Sequence, residues 1–212
     1  LGERECSVQR NHQKLIGEAP ATNFSEETRQ QLGETIREAV RAVGYRNAGT
    51  IEFLMDHTGQ LYFMEMNTRL QVEHPVTELI TGIDIVQWQL RIAAGQALTI
   101  QQEDVGFTGH AIECRLNAED PRQGFRPSPG TISTFAPPEH SPEGPVRLDS
   151  HVESGYAIPP YYDSMVGKLI VHAEDRAKAI ARMSASLADF AVEGVETTIP
   201  LHQAILEDEE FQ

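Results

Sequence analysis

Several kinds of residue are scarce in this chain of 212 residues, and each scarcity excludes a class of protein. The two cysteines, Cys6 and Cys114, form no CxxC pair, so neither a zinc site nor a disulfide framework is predicted. Basic residues are outnumbered, because 17 Lys and Arg stand against 32 Asp and Glu and leave a formal charge of -15. Such a charge repels nucleic acids and anionic lipid surfaces, so we expect neither a nucleic-acid partner nor a membrane partner.

Long apolar runs are also missing from the sequence. None approaches the roughly twenty residues needed to span a bilayer, and the first residues do not combine a basic segment with an apolar one. Together with the unpaired cysteines, these absences predict a cytoplasmic protein. A hydrophobic content of 40% is nevertheless enough to bury a core, and the length allows one or two domains.

The densest group of polar side chains lies in residues 65–78, EMNTRLQVEHPVTE, which contain three carboxylates, an arginine and a histidine. The preceding run, residues 61–64, has a strand-like composition. Because side chains on a strand alternate between its faces, Glu65 and Asn67 share one face. Two oxygen ligands are therefore expected side by side.

A second strand-like run, residues 50–55, comes just before the first. A two-residue hairpin turn at residues 58–59 would place Glu52 opposite Glu65, with both carboxylates on one face. Adjacent like charges favour a cation between them, and carboxylate and amide oxygens suit Mg²⁺ or Mn²⁺ better than Zn²⁺. We therefore predict a metal site at Glu52, Glu65 and Asn67. The alternative is that these three form the solvated face of a half-exposed sheet.

Apolar spacing and capping residues predict the other elements. One helix runs from its N-cap Ser25 to Val43, Thr77 caps a short turn, and another helix follows Asp84 with Trp88 in the core. Residues 96–109 are predicted to be a linker, which puts a domain boundary near residue 105. Beyond it, antiparallel strands are predicted at residues 110–116, 131–135, 146–152 and 168–172, and helices after Asp175 and Thr198.

Four segments of the chain resemble biotin carboxylases, which are members of the ATP-grasp enzymes. The most specific is EMNTRLQVEHPVTE, which is similar to the metal and bicarbonate motif of that family. The others are QRNHQK at residues 9–14, ECRLNAEDP at 113–121 and PPYYDSM at 159–165. The resemblance implies an α+β fold: residues 1–105 would form the C-terminal part of an ATP-grasp domain, and residues 106–212 the biotin carboxylase C-terminal domain. Each would be an antiparallel sheet with helices.

The activity that the resemblance implies is ATP-dependent carboxylation of biotin, with bicarbonate as the carbon source and carboxyphosphate as an intermediate. Glu73 would deprotonate bicarbonate held by Arg69. Arg115 would stabilise the enolate-like oxygen of biotin. From its residue type alone, Arg115 has another interpretation, as the structural partner of Glu113 or Asp120.

The resemblance also implies which residues bind substrates and ions. Two Mg²⁺ or Mn²⁺ ions would be held by the three predicted ligands and would offset charge on the transferring phosphoryl group. Gln9 and His12 would line the nucleotide pocket, and Lys14 would face bicarbonate. The complete binding set is Gln9, His12, Lys14, Glu52, Glu65, Arg69, Gln71, Val72 and Arg115.

The implied partners are a biotin carboxyl carrier protein and a carboxyltransferase, as in acetyl-CoA carboxylase of fatty acid biosynthesis or in a related acyl-CoA or pyruvate carboxylase. A homodimer is expected, with Arg147 and Phe125 or Phe135 as candidates for its interface. The chain carries no glycine-rich phosphate loop of the family type. We therefore expect it to be the C-terminal portion of a longer protein and to be inactive alone.

Two alternatives stay open. One keeps the ATP-grasp chemistry but changes the acceptor, as in carbamoyl-phosphate synthetase or another carboxylate–amine ligase. The segments at residues 113–121 and 159–165 favour biotin carboxylase over it. The other alternative is a non-catalytic dimerisation or regulatory module.

Overall fold

The chain folds into helices and antiparallel sheets, as the sequence predicts. The computed structural model describes residues 1–141 and 144–212. Its helices are α1 (Glu26–Ala42), α2 (His74–Thr81), α3 (Ile85–Ala93), α4 (Arg176–Ala188) and α5 (Ile199–Leu206). Its strands are β1 (Gln9–Arg10), β2 (Gln13–Lys14), β3 (Ile16–Ala19), β4 (Thr50–Met55), β5 (Leu61–Asn67), β6 (His110–Asn117), β7 (Glu119–Asp120), β8 (Arg126–Pro127), β9 (Gly130–Thr131), β10 (Thr134–Ala136), β11 (His140–Ser141), β12 (Gly144–Ser150), β13 (Ala157–Ile158), β14 (Met165–Ala173) and β15 (Ala191–Glu193).

The centre of the fold is a five-stranded sheet in the order β11-β12-β14-β6-β3, antiparallel throughout. Strands β6 and β14 lie in its interior and are rich in the apolar and β-branched residues that suit a covered sheet. Edge strand β3 comes from the first half of the chain, so both halves contribute to this sheet. The domain boundary near residue 105 stays a prediction.

Alternate residues of β6 point to opposite faces of the sheet. One set enters the main core together with side chains of α4 and α5; it comprises Ile112, Cys114 and Leu116. The other set faces α2, where Ala111 packs against Val76 and Ile80. Glu113 and Arg115 belong to this second set. The sheet therefore carries two charged side chains into the space at the start of α2.

Strands β4 and β5 form a separate hairpin, as predicted, but its connection is the loop at residues 56–60 and not a two-residue turn. The pairing shifts by one residue at a β-bulge, where Met64 is the extra residue on β5. The longer loop shifts the pairing of the two strands, and the extra residue at the bulge reverses that shift. Glu52 therefore still lies opposite Glu65. The predicted pairing of the two carboxylates is confirmed, although the predicted turn is wrong.

Most helix boundaries follow the predicted capping residues. The side chains that accept capping hydrogen bonds from backbone amides are those of Ser25, Asp84 and Asp175. Helix α2 differs, because it begins at His74 and includes Thr77, with Pro75 in its first turn. Proline suits that turn because the first amides of a helix have no intrahelical partner. The predicted strand at residues 131–135 is divided into β9 and β10 by residues 132–133, of which Ile132 is buried.

The first hundred residues bury few side chains. All residues of α1 and α3 are described, and none is buried. Trp88 is only half-buried, so its predicted place in the core is wrong. Phe63 on the hairpin and Leu90 on α3 are 65% and 67% exposed. None of the helices within residues 1–141 and 144–212 has the length and apolar character needed to cross a membrane.

Candidate functional site

Three segments meet around the carboxylate of Glu73, which is 2% exposed. They are strand β2, the residues that lead into α2, and the α2-facing side of β6. Oε1 of Glu73 accepts a hydrogen bond from Nζ of Lys14 at 2.7 Å, and Oε2 accepts one from Nη2 of Arg115 at 2.6 Å. Each carboxylate oxygen therefore has its own cation.

Lys14 is the main group that fixes the charge of Glu73. Burial alone would raise the pKa of Glu73, but the hydrogen bond and charge of Lys14, helped by the charge of Arg4, lower it to about 2. Burial likewise opposes the charge of Lys14, yet its hydrogen bonds to Glu52 and Glu73 raise its pKa. Both groups are therefore ionised at neutral pH.

The three predicted metal ligands lie together on one face of the hairpin. Nδ2 of Asn67 donates to an oxygen of Glu52 at 3.0 Å and to an oxygen of Glu65 at 2.9 Å. Lys14 and Gln71 also donate to Glu52, at 2.8 and 2.6 Å. Two carboxylates and an amide form the oxygen donor set that a hard divalent cation prefers, so these residues fit Mg²⁺. The described residues contain no group of three His, Cys, Asp or Glu side chains arranged to hold a metal, and at this hairpin the third member of the set is the amide of Asn67.

Two further cations hold the segment that carries Glu73. Nη2 of Arg4 donates to Oε1 of Gln71 at 2.5 Å. Nζ of Lys168 donates to the backbone carbonyl of Val72 at 2.5 Å. Charge-assisted hydrogen bonds of this kind are stronger than neutral ones. They fix the two residues that precede Glu73.

Three predicted site residues lie outside this cluster. Arg69 is exposed and donates to a neighbouring backbone carbonyl at 3.3 Å. The two oxygens of the Glu73 carboxylate are bound by Lys14 and Arg115. Gln9 is exposed and donates to a backbone carbonyl at 2.8 Å, while His12 is exposed in the turn between β1 and β2, with a φ of 64°.

Arg115 pairs with Glu73, and not with the alternative partners Glu113 and Asp120. Asp120 instead accepts hydrogen bonds from the next residues of its own turn. Glu113 has no hydrogen-bond partner for either carboxylate oxygen within the described part of the chain. Burial raises the pKa of Glu113 to about 8, outweighing the attraction of Lys168 and Arg115.

The sequence reasoning missed three residues of the site: Arg4, Glu113 and Lys168. A signal was present for two of them, since Glu113 and Lys168 are charged residues inside the apolar strand runs HAIECRLN and MVGKLIVHA. A charge in a buried strand needs a partner or a shifted pKa. Arg4 carried no such signal, because it lies in a polar segment that resembles an ordinary surface loop.

Comparison with known proteins assigns both halves of the chain. Residues 1–101 match the family described as carbamoyl-phosphate synthase L chain, ATP binding domain, and residues 113–212 match the biotin carboxylase C-terminal domain. The biotin carboxylase of Nostoc sp. is 54% identical over 212 residues, which are 100% of this chain and 46% of that protein. The chain belongs to the biotin carboxylase family.

Relatives in this family differ in name and share the fold. A pyruvate carboxylase component from Methanothermobacter thermautotrophicus is 51% identical over 213 residues, covering 100% of this chain and 42% of that protein. One solved structure is the biotin carboxylase domain dimer of Hydrogenobacter thermophilus 2-oxoglutarate carboxylase with MgADP, ADP and bicarbonate. Its TM-score to this chain is 0.95 at 50% sequence identity, and the match covers 99% of this chain and 46% of that chain. The chain spans about half the length of the curated relatives it matches. The predicted fold class, that of the biotin carboxylase family, is confirmed.

Proposed function

We propose that the natural protein carrying these residues carboxylates biotin, using ATP and bicarbonate. The observation that supports this most directly is the buried, ionised Glu73 between Lys14 and Arg115. Lys14 also binds Glu52 at 2.8 Å, so one hydrogen-bonded network joins a base, two cations and a predicted metal ligand. The relative solved with MgADP and bicarbonate supports the same set of substrates.

Glu73 is the proposed base for bicarbonate. In the arrangement described, its low pKa makes it a weak base, because both oxygens are bound by cations. A bicarbonate anion that accepts hydrogen bonds from Lys14 or Arg115 would weaken the binding of that cation to Glu73. The pKa of Glu73 would then rise. The carboxylate then accepts the bicarbonate proton as a bicarbonate oxygen attacks the γ-phosphorus of ATP, giving carboxyphosphate and ADP. Such a base contributes about 10²–10⁴ in rate.

Glu52, Glu65 and Asn67 are the proposed ligands of two Mg²⁺ or Mn²⁺ ions. When bound, the ions supply charge neutralisation for the phosphates of ATP. Arg69, which is exposed, is proposed to move towards bicarbonate and to donate two hydrogen bonds to it from its guanidinium. The other proposed contacts are Gln71 and Val72 with bicarbonate, and Gln9 and His12 with the nucleotide.

Biotin is the proposed acceptor, and Arg115 the group that holds its ureido oxygen. Carboxyphosphate breaks down to CO₂ and phosphate, and the phosphate takes the proton from the ureido nitrogen. Negative charge then develops on the ureido oxygen, where a fixed cation stabilises it. The nitrogen attacks CO₂ and yields carboxybiotin. Arg115 is suitably placed for this role because Glu73 orients its guanidinium.

We propose that the biotin is attached to a carrier protein and that a carboxyltransferase passes the carboxyl group to the final acceptor. Acetyl-CoA carboxylase of fatty acid biosynthesis is the first candidate for the complete system, and the pyruvate carboxylase relative makes pyruvate a second acceptor. A homodimer is proposed by likeness to the dimeric relative, with Arg147 near its interface. The cytoplasmic location predicted from the sequence is retained as part of this proposal.

The test measures ADP release and [¹⁴C]bicarbonate incorporation into biotin by the natural protein carrying these residues. Wild type is expected to release ADP in a manner that depends on bicarbonate and biotin, and Glu73→Gln to lose about 10²–10⁴ of that rate. Glu103→Gln, an exposed carboxylate in the linker, is the matched control and should keep it. The isolated 212-residue chain is expected to bind ATP weakly and to show no bicarbonate-dependent ADP release.

A second candidate function rests on the match of residues 1–101 to the carbamoyl-phosphate synthase ATP-binding domain. It predicts ADP release that depends on ammonia or glutamine and ignores biotin. Biotin-dependent release excludes this candidate. Failure of biotin, ammonia and glutamine to stimulate ADP release by the natural protein would favour the non-catalytic module.

A further inference from the structure

Glu113 is a carboxyl group that the proposed mechanism does not use. It lies in the middle of β6, and its side chain is 0% exposed. Neither of its oxygens has a hydrogen-bond partner among the described residues. An ionised carboxylate in such a place loses its hydration and gains no hydrogen bond from the described residues in return, so the environment favours the neutral acid.

Charged groups face Glu113 from most elements packed on this side of the sheet. Lys168 and Arg115 favour its ionisation, while Glu73 and Asp149 oppose it. The two cations are already engaged, since Lys168 donates to the Val72 carbonyl and Arg115 donates to Glu73. The titratable and charged groups on this side are Arg115 on β6, Lys168 and His172 on β14, Arg147 and Asp149 on β12, and Glu73, His74 and Glu78 at α2, whereas β3 contributes Gly17 and Ala19.

Gly17 shows how close Glu73 comes to Glu113. Gly17 is the cross-strand partner of Glu113, and cross-strand partners share a face. A Cβ atom added to Gly17 would lie 3.3 Å from Cβ of Glu73. The stem of Glu73 therefore covers the sheet position next to Glu113.

Two neighbouring carboxyl groups thus have opposite environments. Glu73 has two cations and a pKa of about 2, whereas burial raises the pKa of Glu113 to about 8. Pairs of acids whose environments separate their pKa values in this way have divided roles in enzyme sites. One of this pair is suited to act as a base, and the other to remain neutral.

We propose that Glu113 is a positioning residue that keeps its proton during turnover and so leaves Arg115 and Lys168 to hold Glu73, the Val72 carbonyl and the substrates. Its catalytic consequence rests on the proposed function. An ionised Glu113 would compete for both cations from its place on the same sheet face. Arg115 would then be drawn from Glu73 and from the biotin oxygen, and Lys168 from the segment that precedes the base.

The first experiment determines the protonation state of Glu113 without using activity. Infrared spectra of the natural protein carrying these residues are recorded in D₂O, and the difference between wild type and Glu113→Gln isolates one carboxyl group. We expect the C=O band of a neutral acid at neutral pH, giving way to carboxylate bands only as the pH passes about 8. Glu193→Gln, which removes an exposed carboxylate, should show carboxylate bands alone. Carboxylate bands for Glu113 at neutral pH would overturn the proposal.

The second experiment compares the pH dependence of biotin carboxylation in wild type, Glu113→Gln and Glu193→Gln. Glutamine imitates the neutral acid, so Glu113→Gln should stay within about threefold of wild type at neutral pH and keep its rate above about pH 8, where the wild-type rate falls. Glu193→Gln should follow the wild-type profile. A loss of more than about tenfold in folded Glu113→Gln at neutral pH, or an unchanged alkaline fall, would contradict the proposal.

The two experiments separate this inference from the function on which it rests. If wild type carboxylates no biotin at any pH, the proposed function fails. The infrared band then still decides whether Glu113 is neutral. If carboxylation is normal but Glu113 is ionised at neutral pH, the inference about Glu113 fails alone.

Discussion

His202 donates a hydrogen bond from Nε2 to the backbone carbonyl of Arg115 at 2.7 Å. The same carbonyl accepts a bond from Oγ1 of Thr198 at 3.3 Å, so the start of α5 is attached to the strand residue that carries the guanidinium. His202 is completely buried, and burial lowers its pKa to about 4 in spite of that bond. The imidazole is therefore neutral at pH 7, with a proton on Nε2 directed at Arg115.

Acid should destabilise the fold through His202. Its folded pKa of about 4 lies below the ordinary value, so between about pH 6.5 and 4 the unfolded chain binds more protons. The stability that this group contributes is complete above about pH 6.5 and is lost as the pH falls towards 4, by on the order of 3 kcal/mol. Urea unfolding at a series of pH values measures it.

The matched variants for this prediction are His202→Gln, which removes the titrating group, and His57→Gln in the exposed hairpin loop. His202→Gln should lose less stability than wild type over that pH interval, and His57→Gln should behave as wild type. Equal acid-induced losses in wild type and His202→Gln would show that other groups dominate.

Gly17 is expected to be sensitive to the smallest side chain. In Gly17→Ala the new methyl group would lie 3.3 Å from Cβ of Glu73 and 3.7 Å from Sγ of Cys6, so Glu73 must shift by a few tenths of an ångström. We expect a stability change of about 1 kcal/mol or less and a fall in bicarbonate-dependent ADP release of about tenfold. Gly106→Ala, with no atom within 4 Å of the added Cβ, is the control. Equal rates in the two variants would mean that β3 does not position Glu73.

Glu65→Gln should change the metal dependence of the reaction. The substitution keeps a side chain of similar shape on the hairpin face but removes one of the two charges opposite each other. The Mg²⁺ concentration needed for half-maximal ADP release should rise about tenfold or more, and excess Mn²⁺ or Mg²⁺ should restore part of the rate. Glu103→Gln serves again as the exposed control. An unaltered Mg²⁺ titration would remove Glu65 from the metal site.

Arg115→Ala should separate the two half-reactions. Loss of the cation is expected to lower transfer to biotin by about 10²–10³. Bicarbonate-dependent ADP release should fall less, because Glu73 keeps its bond to Lys14. Arg115→Lys, which retains the charge, should recover part of the transfer rate. If ADP release and biotin carboxylation decline by the same factor in Arg115→Ala, its assignment to biotin is wrong.

Features encoded by neighbouring residues could be predicted from the sequence. The caps at Ser25, Asp84 and Asp175 and the alternation that puts Glu65 and Asn67 on one face depend on spacings of a few residues. The antiparallel strands follow from similar local patterns, whereas the overall fold class was implied by the family resemblance. The family resemblance added Glu73 and Arg115, although it did not reveal that they touch.

Contacts between distant residues could not be predicted in this way. The bond from Lys168 to the Val72 carbonyl joins positions 96 apart, and the bond from Arg4 to Gln71 joins positions 67 apart. Both depend on how α2 lies on the sheet, which no local pattern specifies. The place of Trp88 was predicted wrongly for a related reason, because an apolar helix stripe indicates a face to be covered and not what covers it.

The bulge at Met64 divides the hairpin into two parts with separate registers. Between the bulge and the loop, a change in the number of residues alters only the length and twist of the tip. Between the bulge and Asn67, a single inserted or deleted residue would turn every following side chain to the opposite face. We therefore expect the tip at residues 56–60 to accept insertions of several residues with the chemistry intact, which makes it a suitable attachment point for a spectroscopic label or an affinity peptide.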